Sequence, residues 1–148
     1  MWSWECFTPH PPVLLPEVGR GRERDAEKSA EAMKSMGRIL GNAAPSILLI
    51  LSPHSPYGGG ITFSLAEGYE GDFSAFGAPS VRLSFPGAPD EGLALAELLA
   101  GNFPVAASKN SLIPLDHGAL VPLHFLFGRG EKKIPKIILA NPIGLSLD

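Results

Sequence analysis

Four histidines are the residues whose type and setting point to chemistry. His10 sits in Pro9-His10-Pro11-Pro12 and His54 in Ser52-Pro53-His54-Ser55-Pro56, each directly after a strand-like stretch. Proline fixes φ and stiffens the chain around it, so both imidazoles are held on a preorganised backbone. If the two stretches are parallel neighbours, both rings fall at the carboxyl edge of one sheet, where open α/β sheets bind their ligands. The pair then reads as two metal ligands brought together by the fold. Taken singly, a histidine at a strand end is more often a solvent-facing or capping residue; it is the repeated strand–Pro–His–x–Pro arrangement that favours the pair.

His117 lies in Leu115-Asp116-His117-Gly118-Ala119-Leu120, a turn entering an apolar helix. An imidazole at a helix N-terminus tends toward its neutral form, because the positive end of the dipole disfavours the cation. A neutral ring can take a proton from a substrate hydroxyl or hydrogen-bond to it. Asp116 orients that ring or, more simply, caps the helix. His124 falls two turns further along nearly the same helical face and reads as a core or partner-contacting residue. Cys6, the single cysteine, reads as a small buried residue within a strand. Gly58-Gly59-Gly60 lacks the lysine and the spacing of a phosphate-binding loop, so a flexible active-site loop is the better reading.

The elements that must position these residues are legible in outline. Trp2 to Thr8 alternates and carries aromatic residues, which suggests a short strand. Asp25 to Leu40 has helical periodicity, with Ala26, Ala30, Met33, Met36 and Leu40 on one stripe. Gly41-Asn42 followed by Pro45 ends it. Ser46 to Ser52 is a continuous apolar run suited to a strand covered on both faces. Strand, charged helix and buried strand together suggest a βαβ unit. Further strands are expected at Ile61 to Leu65, Val81 to Phe85, Val105 to Ala107 and Pro135 to Ala140. Helices are expected at Asp90 to Leu99 and Leu120 to Phe127. Pro142 to Asp148 resembles the turn that opens a further helix, as if the chain were part of a longer one.

Composition narrows the function classes. Of 148 residues, 45% are apolar and 18% charged, which excludes intrinsic disorder. A formal net charge of -3 leaves no electrostatic footprint for nucleic acid or an anionic membrane. One cysteine cannot form an internal disulfide or build a zinc finger or iron–sulfur cluster. The longest strongly apolar run, Ile47 to Leu51, is far short of the ~20 residues of a membrane helix. With no signal-peptide pattern at the start, a cytoplasmic protein is expected.

Phe7-Thr8-Pro9-His10-Pro11-Pro12, with Pro16-Glu17-Val18-Gly19 after it, resembles the start of class III extradiol ring-cleavage dioxygenases of the LigB type. Ile50-Leu51-Ser52-Pro53-His54 and Leu115-Asp116-His117-Gly118 through Val121-Pro122-Leu123 match the next two signatures of that family, in order. The resemblance covers essentially the whole chain, as roughly the N-terminal half of a truncated catalytic domain. It implies an α/β fold, a mainly parallel sheet flanked by helices. It also implies a mononuclear non-haem Fe(II) held by two histidines and one glutamate, with His10 and His54 as the nitrogen ligands. Asp116 and His117 would bind substrate, and His117 would be the catalytic residue near a substrate hydroxyl. The implied partners are a catechol-like aromatic and O2, together with an oligomer or partner subunit.

The departure from the family is as informative as the match. The glutamate ligand and the principal acid/base histidine come from the later half of the family's domain. No carboxylate in this chain matches the third-ligand motif, although Glu17 or Asp116 could be recruited. A non-catalytic metal- or peptide-binding module, as in Memo-like relatives of the same fold, is therefore the alternative. A zinc hydrolase on the same histidines would need a third protein ligand.

Overall fold

The computed structural model describes residues 4–54, 59–128 and 133–143. A five-stranded mixed sheet carries helices on both faces. Its strands are β1 (Ile47–Leu51), β2 (Ile61–Phe73), β3 (Ala78–Pro86), β4 (Val105–Pro114) and β5 (Lys136–Asn141). The helices are α1 (Pro16–Gly19), α2 (Glu27–Ala43), α3 (Pro89–Ala100) and α4 (His117–Phe127). Long β2 is the hub. One of its edges pairs with β4 in parallel from Ile61 to Glu70. Its other edge is shared by two antiparallel strands, β5 against Thr62 to Ser64 and β3 against Gly68 to Phe73. β1 then pairs with β5 in parallel, Leu51 opposite Ala140. The parallel ladders are the longer ones on average, so the mainly parallel α/β sheet expected from sequence is the one found.

Alternation along β5 divides the core. Ile137 and Leu139 face one side, with α2 and α4, while Ile138 and Ala140 face the other, with α3. On the first side α2 presents Ala30, Met33, Gly37 and Leu40, all buried and spaced at helical intervals. Gly37 lets the two helices meet closely, since a Cβ there would lie 2.9 Å from the Phe125 carbonyl oxygen. Helix α4 is apolar nearly all round and correspondingly buried. Together these two helices and β5 fix the end of the sheet where β1 stops.

Three expectations need correction. Residues 4–8 form no strand; Trp4 and Phe7 are exposed, and no neighbouring strand hydrogen-bonds to them. Alternating aromatics there find no sheet edge to join, and Pro9 follows at once. The βαβ unit built on that strand is therefore absent among the described residues. Cys6, for the same reason, is exposed rather than buried. Several expected elements are longer than their apolar centres, notably β2, β4 and α4, because pairing and capping recruit polar neighbours. Trp2, Gly58 and the segment from Gly144 onward lie outside the described residues.

Candidate functional site

His54 reaches the site from the end of β1. The Ser52 amide donates to the Ala140 carbonyl at 3.0 Å, extending the parallel ladder one residue past Leu51. Pro53 and His54 turn away from the sheet immediately afterwards. His117 is the first residue of α4 and follows directly on Asp116, whose Oδ1 accepts from the Ala119 amide at 3.2 Å. That bond is an N-terminal cap, and it closes the first turn of α4, the turn that begins with His117.

His10 arrives by a different route from the expected strand end. It is carried by an irregular segment whose prolines lead into a 3₁₀ turn, Pro12–Leu14, and then α1. Leu14 and Leu15 are fully buried in the core on the α2/α4 side, and they pin this segment down. Packing rather than pairing delivers the imidazole.

The three rings converge. His10 Nε2 lies 3.2 Å from His54 Nε2. The His10 and His54 rings meet edge-on at 5.1 Å between centroids, and His54 stacks on His117 at 4.2 Å. One ring nitrogen from each of the three histidines lies within 4.8 Å of the others. Two nitrogens 3.2 Å apart, each about 2.1 Å from one ion, subtend roughly 100° at it. A divalent cation fits that opening between His10 and His54, with His117 beside it. Without an ion, the same separation lets one neutral ring donate a hydrogen bond to the other. Among the described residues no carboxylate joins this cluster; Glu17 and Asp116 both lie outside it.

Burial of its ring is the main cause that holds the His117 pKa below the ordinary histidine value, and the facing His54 ring adds to it. Asp116 pulls the other way, and His10 contributes a further lowering. As pH falls through about 6.5, the unfolded chain takes its proton first, while folded His117 stays neutral. This residue's contribution to folding thus declines as pH drops from 6.5 toward the lower folded value. NMR titration of the metal-free protein should give a His117 midpoint below that of the unfolded chain; a midpoint at or above it would contradict the burial argument.

Three residues at the site carried no signal strong enough to be singled out. The Ser52 side chain is completely buried, and its hydroxyl donates to Asp116 Oδ1 at 2.7 Å. Gly118 leaves room for that contact: a Cβ there would lie 2.5 Å from Ser52 Oγ and 3.0 Å from His54 Cδ2. Phe76, on the turn between β2 and β3, sets its ring edge-to-face with His117 at 5.5 Å. A glycine after Phe76, with φ at +78° in the left-handed region, was the sequence sign of that turn. His124 is half-buried and packs its ring against Phe73 and Phe125, outside the three-histidine cluster, as expected of a packing residue.

Among the described residues no helix is long and apolar enough to cross a membrane. Residues 5–143 match the family model of the catalytic LigB subunit of aromatic ring-opening dioxygenase. One curated relative is Protein CA_C1420 of Clostridium acetobutylicum, 29% identical over 127 residues that cover 80% of this chain and 27% of that protein. The chain thus spans about a quarter of the length of the relative it matches. With three histidine motifs folded onto one point and the family pattern running through nearly every described element, the chain belongs to the family of catalytic LigB subunits of aromatic ring-opening dioxygenases.

Proposed function

We propose that this chain is the N-terminal part of a non-haem Fe(II)-dependent extradiol dioxygenase, with His10 and His54 as metal ligands. The observation that supports this reading is the 3.2 Å approach of the two Nε2 atoms beside a third imidazole. Bound Fe(II) would supply a centre at which a catecholate and O2 meet, so that both oxygen atoms enter the product as the ring opens beside the hydroxyls. No external reductant is needed for that balance. His117, kept neutral by its burial, would hydrogen-bond to a substrate hydroxyl and take up its proton. Asp116 acts from behind, through the cap and through Ser52. Phe76 gives an aromatic substrate an apolar edge next to His117. The glutamate ligand and main acid/base histidine implied by the family would come from a longer parent protein or a partner subunit. We place the reaction in the cytoplasm, where an exposed free thiol such as Cys6 stays reduced.

The test is anaerobic loading of the full-length protein with Fe(II), followed by a panel of catechols and then air. O2 uptake with a yellow ring-opened product is expected for at least one of them. Metal uptake with no turnover across the panel would favour the non-catalytic module instead, and no metal uptake would remove the dioxygenase reading together with the metal version of the module.

A second reading is favoured by one observation, the ligand-distance approach of His117 to the other two rings. As a third nitrogen ligand it would close a three-histidine site of the kind that holds zinc and a reactive water. His117→Ala separates the two readings. It leaves metal affinity nearly unchanged if His117 faces substrate, and lowers it steeply if His117 is a ligand.

A further inference from the structure

We propose that Ser52 is a positioning residue, whose buried hydroxyl sets the separation of the His54 and His117 imidazoles. This rests on the reading of the histidine cluster as a metal site, but its geometry stands on its own. Ser52 is 0% exposed, so its polar atoms must find partners inside the protein. Its amide is committed to the Ala140 carbonyl, which ties it to β5. Its hydroxyl has one proton, given to Asp116 Oδ1 at 2.7 Å. The same oxygen accepts from the His54 amide at 3.3 Å.

One oxygen atom therefore joins three things: the end of β1, the backbone of His54 and the acid that caps α4. Asp116 Oδ1 completes the link by accepting from Ala119 in the first turn of α4, the turn that begins with His117. Neither Ser52 nor Asp116 is in the ring cluster itself. What Ser52 fixes is the spacing between the end of β1 and the start of α4. The stacked 4.2 Å contact between His54 and His117 is the readout of that spacing. Gly118 shows how closely the parts fit, because a Cβ there would strike Ser52 Oγ, Asp116 Oδ1 and the His54 ring together.

The test compares Ser52→Ala with Ser52→Thr, which keeps a hydroxyl. In metal-free protein, NMR ring-current shifts of His54 and His117 report their stacking without reference to any ion. Ser52→Ala should lose these shifts while remaining folded, and Co(II) should bind ~10- to 100-fold more weakly, the range typical of losing an outer hydrogen-bonding partner. Ser52→Thr should restore both, and the visible Co(II) spectrum should return with it. If the alanine variant does not fold, Ser52→Cys, close in volume but a poor hydrogen-bonding group, carries the same expectation. Unchanged ring-current shifts in the folded alanine or cysteine variant would overturn the proposal. Lost shifts in a protein whose wild type takes up no Co(II) would uphold the positioning role and count against the metal reading alone.

Discussion

His54→Ala is expected to abolish measurable binding of Fe(II) or Co(II) while leaving the fold intact. His54 is exposed and follows the last residue of the β1 ladder, so its side chain contributes little to the core. Its ring, by contrast, is the one that both others meet: 3.2 Å to His10 through Nε2, and 4.2 Å to His117 between centroids. Without it, the two remaining rings are 5.8 Å apart between centroids and tilted. The loss of affinity should exceed the ~10- to 100-fold that follows removal of an outer partner. Calorimetric titration alongside a thermal melt checks this. Retained affinity in the variant would show that the metal, if any, binds elsewhere.

The second large effect is expected at Gly118. Gly118→Ala places a methyl 2.5 Å from Ser52 Oγ, 2.8 Å from Asp116 Oδ1 and 3.0 Å from His54 Cδ2. Two of those atoms belong to one hydrogen bond and the third to a ring of the site, so relief at any of them disturbs the arrangement. Overpacking of this kind costs about 1–3 kcal/mol. For a chain of this length each kcal/mol lowers Tm by roughly 2–4 °C. A fall of several degrees should accompany weaker metal binding, and thermal melts with and without Co(II) measure both. An alanine variant with the wild-type Tm and affinity would show that the contact is looser than described.

These effects arise where sequence and fold meet unequally. The run Ile47 to Leu51 was readable as a strand because every residue in it is apolar, and its end places His54 at a carboxyl edge, but β1 lies half-buried at the edge of the sheet, with Leu51 exposed, rather than covered on both faces. Helix α2 was readable from its stripe, Ala30 to Leu40. His10 was named correctly as a member of the cluster for a reason that does not hold. Alternating aromatics suggested a strand, whereas two buried leucines beyond the prolines hold the segment in place. Ser52 was passed over because serine at a strand end is ordinary; only burial beside Asp116 makes its hydroxyl matter. Phe76 could not be placed from sequence, since the long hairpin that brings it to His117 depends on β2 extending well past its apolar start. Non-local pairing and packing decide such positions, and neither leaves a periodic trace.

The partnership of β1 with β5 joins residues 47–51 to residues 136–140, well over half the described chain apart. Contacts so distant along a polypeptide form late, because loop closure must be met before they give anything back. During synthesis, which proceeds from the N-terminus, His10 and His54 leave the ribosome long before Lys136 to Asn141, the strand against which β1 docks. The nascent chain accordingly carries these two imidazoles before β1 has its partner, and the cluster waits on the arrival of β5.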